Sequence, residues 1–109
     1  NIKVFRNNFL LIYIYMNPVE VSECVYVLKL EDSKWYVGKT HNLNLRIARH
    51  KCGNGALWTK LHNVIDCVKV SFEINEKDMT LKYMRKYGWE NVRGYAWCQC
   101  DLKKPPQDL

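Results

Sequence analysis

The side chains best suited to chemistry in this 109-residue chain lie between Tyr26 and His50. Tyr26 and Tyr36 can each give or take a proton. Arg46 carries a guanidinium that forks onto phosphate oxygens and stays charged at any working pH. His50, one helical turn further on, exchanges a proton near neutrality. Together these types fit a reaction at phosphate, with one group to manage the proton of an attacking water and one cation to hold developing charge. Each also has an ordinary reading. A single tyrosine in a strand usually fills a half-buried position, and a basic strip on a helix usually faces solvent. Two tyrosines on adjoining strands, followed by a glycine and a basic helix, outweigh that reading. Arg49 keeps it: a phosphate contact outside the site, or nothing.

These residues need elements to hold them. The apolar runs Cys24–Leu30 and Trp35–Lys39 flank Glu31-Asp32-Ser33-Lys34, which spells a β-hairpin. Strand alternation puts Tyr26 on the face of Leu28, and Tyr36 on the face of Gly38. A glycine inside a strand marks a close approach or a bulge; Gly38 would let substrate or the next loop come near Tyr26. Thr40 or Asn42 caps a helix from about Leu43 to His50. A step of about 100° per residue places Arg46, Arg49 and His50 on one arc. Gly53-Asn54-Gly55 ends that helix, and Cys52–Lys60 reads as a loop. Trp58 in it either stacks on a nucleobase, worth about 1–3 kcal/mol, or packs over the core as a lid. Val64–Ile74 reads as a third, scaffold strand. Glu76–Tyr87 reads as a second helix whose Met79, Tyr83 and Tyr87 stripe is core.

Cys24-Val25-Tyr26 followed by Tyr36-Val37-Gly38 resembles the two halves of the GIY-YIG nuclease motif. Arg46 and His50 fall where that family carries its helix arginine and, often, a histidine. Trp58-Thr59-Lys60 and Asn91-Val92-Arg93-Gly94 resemble versions of this domain in large DNA viruses and some other genomes. The likeness covers roughly residues 21–100. It implies a small α/β (α+β) domain, with a central, mainly antiparallel three-stranded sheet flanked by helices. It also implies a metal-dependent DNA endonuclease using one Mg²⁺ or Mn²⁺. Tyr26 is then the general base, its phenolic pKa of about 10 lowered by Arg46 and the metal. Tyr36 positions water or phosphate, Arg46 stabilises the transition state, and His50 and Asn91 orient the groups. Asn91 also reads as a loop asparagine bonded to its own backbone. Gly38, Lys39, Arg49, Trp58, Lys60 and Arg93 are the candidate substrate contacts.

The resemblance breaks at the metal ligand. The family's second helix usually supplies a glutamate, and the expected position falls on or near Thr80, a poor ligand. Glu76 lies one turn earlier and about 40° around the axis, so it can offer a carboxylate displaced by roughly 5.4 Å; Glu73 is a further candidate. The ligand has either moved, with Glu76 favoured, or been lost. Loss would leave a DNA-binding domain without catalysis. Cys24 replaces a usual glycine, which a strand tolerates.

Composition sets the outer bounds. Seventeen Lys and Arg against eleven Asp and Glu give a net charge of +6, which favours an anionic partner such as DNA. The length suits one domain, leaving sequence specificity to a possible protein partner; a monomer is expected. No segment approaches the roughly twenty apolar residues of a membrane span. Five cysteines make no disulfide framework, so a reducing compartment, cytoplasmic or nuclear, is the simpler expectation. Residues 1–20 read as a leader or extra segment containing the apolar run Phe9–Met16. Residues 101–109 read as a polar, disordered tail.

Overall fold

The computed structural model describes residues 22–109. The run Phe9–Met16 lies outside them. The expected hairpin is present: β1 (Cys24–Leu30) pairs antiparallel with β2 (Lys34–Thr40). Between them Asp32 and Ser33 sit at φ 64° and 58°, left-handed values that short polar side chains tolerate. Helix α1 (Leu43–Lys51) follows. Asn42 is its cap, accepting from the Leu45 N–H at 3.1 Å, while the Thr40 hydroxyl accepts from the Asn42 N–H at 3.0 Å. The stretch expected to be all loop contains a short helix, α2 (Leu57–Leu61). Strand β3 (Val64–Ser71) pairs antiparallel with β1. Helix α3 (Glu76–Tyr87) has the expected bounds, with Asn75 as its cap.

Among the described residues the sheet has four strands, not three. Val92–Gly94 forms β4, parallel to β2, giving the order β3-β1-β2-β4. Central β1 is covered on both faces, which explains its nearly continuous apolar run. One face carries Tyr26, Leu28 and Leu30 against Leu43 and Ile47 of α1 and Trp58 of α2. The other carries Val25 and Val27 with Val37 and Val92 against Met79 and Met84 of α3. Helix α1 buries Leu43, Ile47 and His50, so the expected cationic arc is split. His50 belongs to the core side, Arg46 is half-buried and Arg49 is exposed.

The tail is not disordered. Asp108 pairs with Lys77 at 3.0 Å, its carbonyl accepts from Arg85 at 3.3 Å, and Pro106 is buried. Lys77 and Arg85 both belong to α3, so residues 101–109 strap that helix.

Candidate active site

The site grows from one pairing in the hairpin, Tyr26 of β1 opposite Gly38 of β2. A Cβ at Gly38 would land on the Tyr26 hydroxyl, so the missing side chain is what makes room for the ring. Tyr26 is fully buried. Its hydroxyl lies 2.7 Å from His50 Nε2, and His50 Nδ1 lies 2.8 Å from the Thr59 hydroxyl. Thr59 in turn donates to the Ala56 carbonyl at 2.9 Å. That last bond sets the direction of the rest. With its own proton on Ala56, the Thr59 oxygen accepts from Nδ1–H, so Nε2 is a bare acceptor and Tyr26 donates to it. Gly55 completes the cradle, since a Cβ there would strike the His50 ring.

Tyr36 closes the group. Its ring centre is 6.4 Å from that of Tyr26 and 5.0 Å from that of His50. Burial pushes the Tyr36 hydroxyl up to about 12, helped by Cys98 and Glu76 and opposed by Arg46. Burial likewise drives Tyr26 far above the usual phenol value, with Tyr36 adding to the rise. Arg46 pulls it back through its charge and a hydrogen bond, without prevailing. Arg46 alone therefore does not lower the Tyr26 phenol, which burial draws up. His50 moves the other way. Burial and the Arg46 charge hold it near 4, a neutral imidazole at physiological pH.

Glu76 approaches from α3. It is half-buried in a cleft of about 420 Å³ that also holds Glu23, Lys39, Glu73 and Tyr95. Burial raises its carboxyl, while Lys39, the Tyr95 backbone N–H and Arg46 draw it down. Its charge is felt by both Tyr26 and Tyr36. Thr80 is fully buried and donates to the Glu76 carbonyl at 2.7 Å. A Cβ at Gly94 would come within 2.8 Å of its oxygen, so Thr80 is packed against β4 and offers nothing to a ligand. Lys39, Arg46 and Arg49 line an adjoining groove.

Four candidates lie elsewhere. Arg93 is buried, not turned to solvent for phosphate. Its guanidinium donates to the carbonyls of Gln99, Trp89, Glu90, Val92 and Cys100, and lies 4.3 Å over the Trp58 ring. Trp58 is buried beneath it and donates to the Trp35 carbonyl at 3.0 Å, so it is a packed lid and not a surface for bases. Asn91 accepts from Lys34 and donates to the Tyr87 carbonyl, both at 2.8 Å, at the end of β2 away from Gly38. Its backbone partner is Tyr87, not its own peptide group. Lys60 is exposed on α2. Thr59 was missed because a threonine beside a tryptophan carries no signal until the fold sets it against His50.

Residues 22–91 match the GIY-YIG catalytic domain. The chain belongs to the GIY-YIG family. That family is one of endonuclease-type hydrolase domains that act on DNA and generally use divalent metals. The chain is 34% identical over 62 residues to the UPF0213 protein YazA of Bacillus subtilis, covering 56% of this chain and 63% of that protein. It is 33% identical over 64 residues to the UPF0213 protein BH0048 of Halalkalibacterium halodurans, covering 58% and 68%. The UPF0213 protein SH2523 of Staphylococcus haemolyticus is 47% identical over 36 residues, covering 33% and 44%. The chain thus spans less than two thirds of YazA. These relatives are bacterial, and give no support to a viral character. No solved structure matches significantly. No helix of this GIY-YIG domain among the described residues is long and apolar enough to cross a membrane.

Proposed function

We propose that this chain is a DNA endonuclease that hydrolyses phosphodiesters through Tyr26, with His50 as the terminal proton acceptor. The directed line from Tyr26 through His50 to Thr59 carries the reading. Burial raises the Tyr26 phenol, which favours a relay role. Its oxygen takes the proton of the attacking water while its own proton passes to the bare Nε2 of His50. Arg46 supports this step: its charge reaches the Tyr26 hydroxyl, and on a substrate phosphate the guanidinium stabilises the developing charge. Tyr36 borders the same space and positions the water.

Among the described residues, no three His, Cys, Asp or Glu side chains gather into a metal cage. Glu76 nevertheless fits one Mg²⁺ or Mn²⁺. A single half-buried carboxylate in an open cleft suits a hard cation that keeps its waters and takes substrate oxygens. When bound, such an ion would neutralise phosphate charge and assist the leaving oxygen.

The test is cleavage of labelled single-stranded, duplex and branched DNA with Mg²⁺, Mn²⁺ or EDTA. Metal-dependent cutting is expected, lost in Tyr26→Phe and Glu76→Ala and reduced by orders of magnitude in Arg46→Ala. A folded parent that binds DNA in a salt-sensitive way but never cuts overturns the nuclease and leaves a binding domain.

A further inference from the structure

The turn after β4 places a tyrosine where a glycine would fit without strain. Gly94 and Trp97 close this turn with two backbone bonds, at 3.1 and 2.9 Å. Between them Tyr95 sits at φ 54°, in the left-handed region that a side chain with a Cβ disfavours. Strain of this kind persists where the surroundings hold it, and it clusters at functional sites. The Tyr95 ring gains little burial in return, remaining 46% exposed. Two contacts fix its place. Its ring lies 5.3 Å from that of Trp97, and its backbone N–H is drawn to the Glu76 carboxylate. The ring therefore stands on the rim of the Glu76 cleft, which Lys39 and Lys77 line together with Glu23 and Glu73.

An exposed, oriented aromatic ring on the rim of the candidate site suits one partner on a DNA strand, a base with a free face. Bases inside a duplex are stacked on both sides and offer no face without being extruded. We infer that Tyr95 is a stacking platform for an unpaired nucleobase next to the scissile phosphate, so that DNA unpaired at that point is preferred over continuous duplex. This rests on the nuclease reading above, and it adds the substrate class.

The turn geometry supplies a clean variant. Tyr95→Gly removes the ring and relieves the left-handed strain together, so the fold should be kept. The full chain is titrated in EDTA against two oligonucleotides carrying 2-aminopurine, one single-stranded and one fully paired. Parent protein should bind the single strand more tightly and quench its fluorescence. Tyr95→Gly should lose about 5- to 150-fold in affinity for the single strand, the span of one base–aromatic stack, with the quench. Its duplex affinity should stay unchanged, and Tyr95→Trp should keep the preference. Equal binding of both DNAs by the parent, or equal loss on both in Tyr95→Gly, overturns the platform while duplex cleavage leaves the nuclease standing. A marked fall in the thermal midpoint of Tyr95→Gly without loss of preference shows a packing role and also overturns it. No DNA binding by the folded parent at low salt, both in EDTA and with Ca²⁺ in its place, overturns both readings.

Discussion

Substituting alanine at Gly38 tests whether the hairpin is built around the Tyr26 hydroxyl. Gly38 does not adopt a positive φ, so alanine meets no backbone strain there. The cost is steric. The new Cβ falls on the Tyr26 hydroxyl and ring carbon, and within 2.8 Å of Cε1. Tyr26 has nowhere to retreat, being fully buried and bonded to His50 at 2.7 Å. Forced overpacking of a core costs about 1–3 kcal/mol, and a lost buried hydrogen bond about 1 kcal/mol more. Reduced freedom of the unfolded chain returns roughly 0.4–1 kcal/mol. The net is about 1–4 kcal/mol, or a fall of roughly 5–25 °C in the midpoint of a domain this small. Urea denaturation of Gly38→Ala measures it directly. The second arm is the same change in a Tyr26→Leu background, where the ring is gone. There the alanine should cost under about 0.5 kcal/mol, giving a coupling near 2 kcal/mol. A neutral Gly38→Ala, or an equal cost in both backgrounds, would refute the reasoning.

His50 is held near 4 by burial and then by Arg46, below the value of about 6.5 expected when unfolded. A base depressed on folding contributes stability that is full above about pH 6.5 and is lost as pH falls towards 4. Denaturation at pH 7.5 and 4.5 should show a loss of about 2 kcal/mol that shrinks in His50→Gln. Thr59→Val strands the Nδ1–H and should cost about 1–3 kcal/mol, and nitrogen NMR of the imidazole should show the fixed tautomer dissolving; Thr59→Ser should restore it. Arg93→Lys cannot reproduce the fork onto carbonyls, so its midpoint should drop by at least about 5 °C, while the salt slope of DNA binding stays unchanged.

Local pattern carried most of the fold. The hairpin, the Asn42 cap and the limits of α3 all depend on residues close in sequence. So does the face shared by Tyr26 and Gly38, and with it the core of the site. Strand β4 did not show, because Val92–Gly94 is too short for an alternation and gains its partner, β2, only across the chain. Arg93 and Trp58 looked like nucleic-acid contacts because residue type does not reveal direction. Each satisfies the other from inside, cation over ring. The tail misled for a related reason: its lysines and prolines look solvated, yet Asp108 finds partners on α3 that only the fold brings near.

Among the described residues the sheet order leaves β3 at an edge. Its pairing with β1 slips twice, at Val27/Leu28 and at Lys29/Leu30. Bulges of this kind sharpen the local twist of a strand. A twisted edge bearing an outward Lys69 is a poor template for another extended chain. The exposed Ile65 on the same strand would otherwise invite such pairing. Irregular register here thus acts as protection against aggregation, and straightening it should make the protein less soluble before it makes it less active.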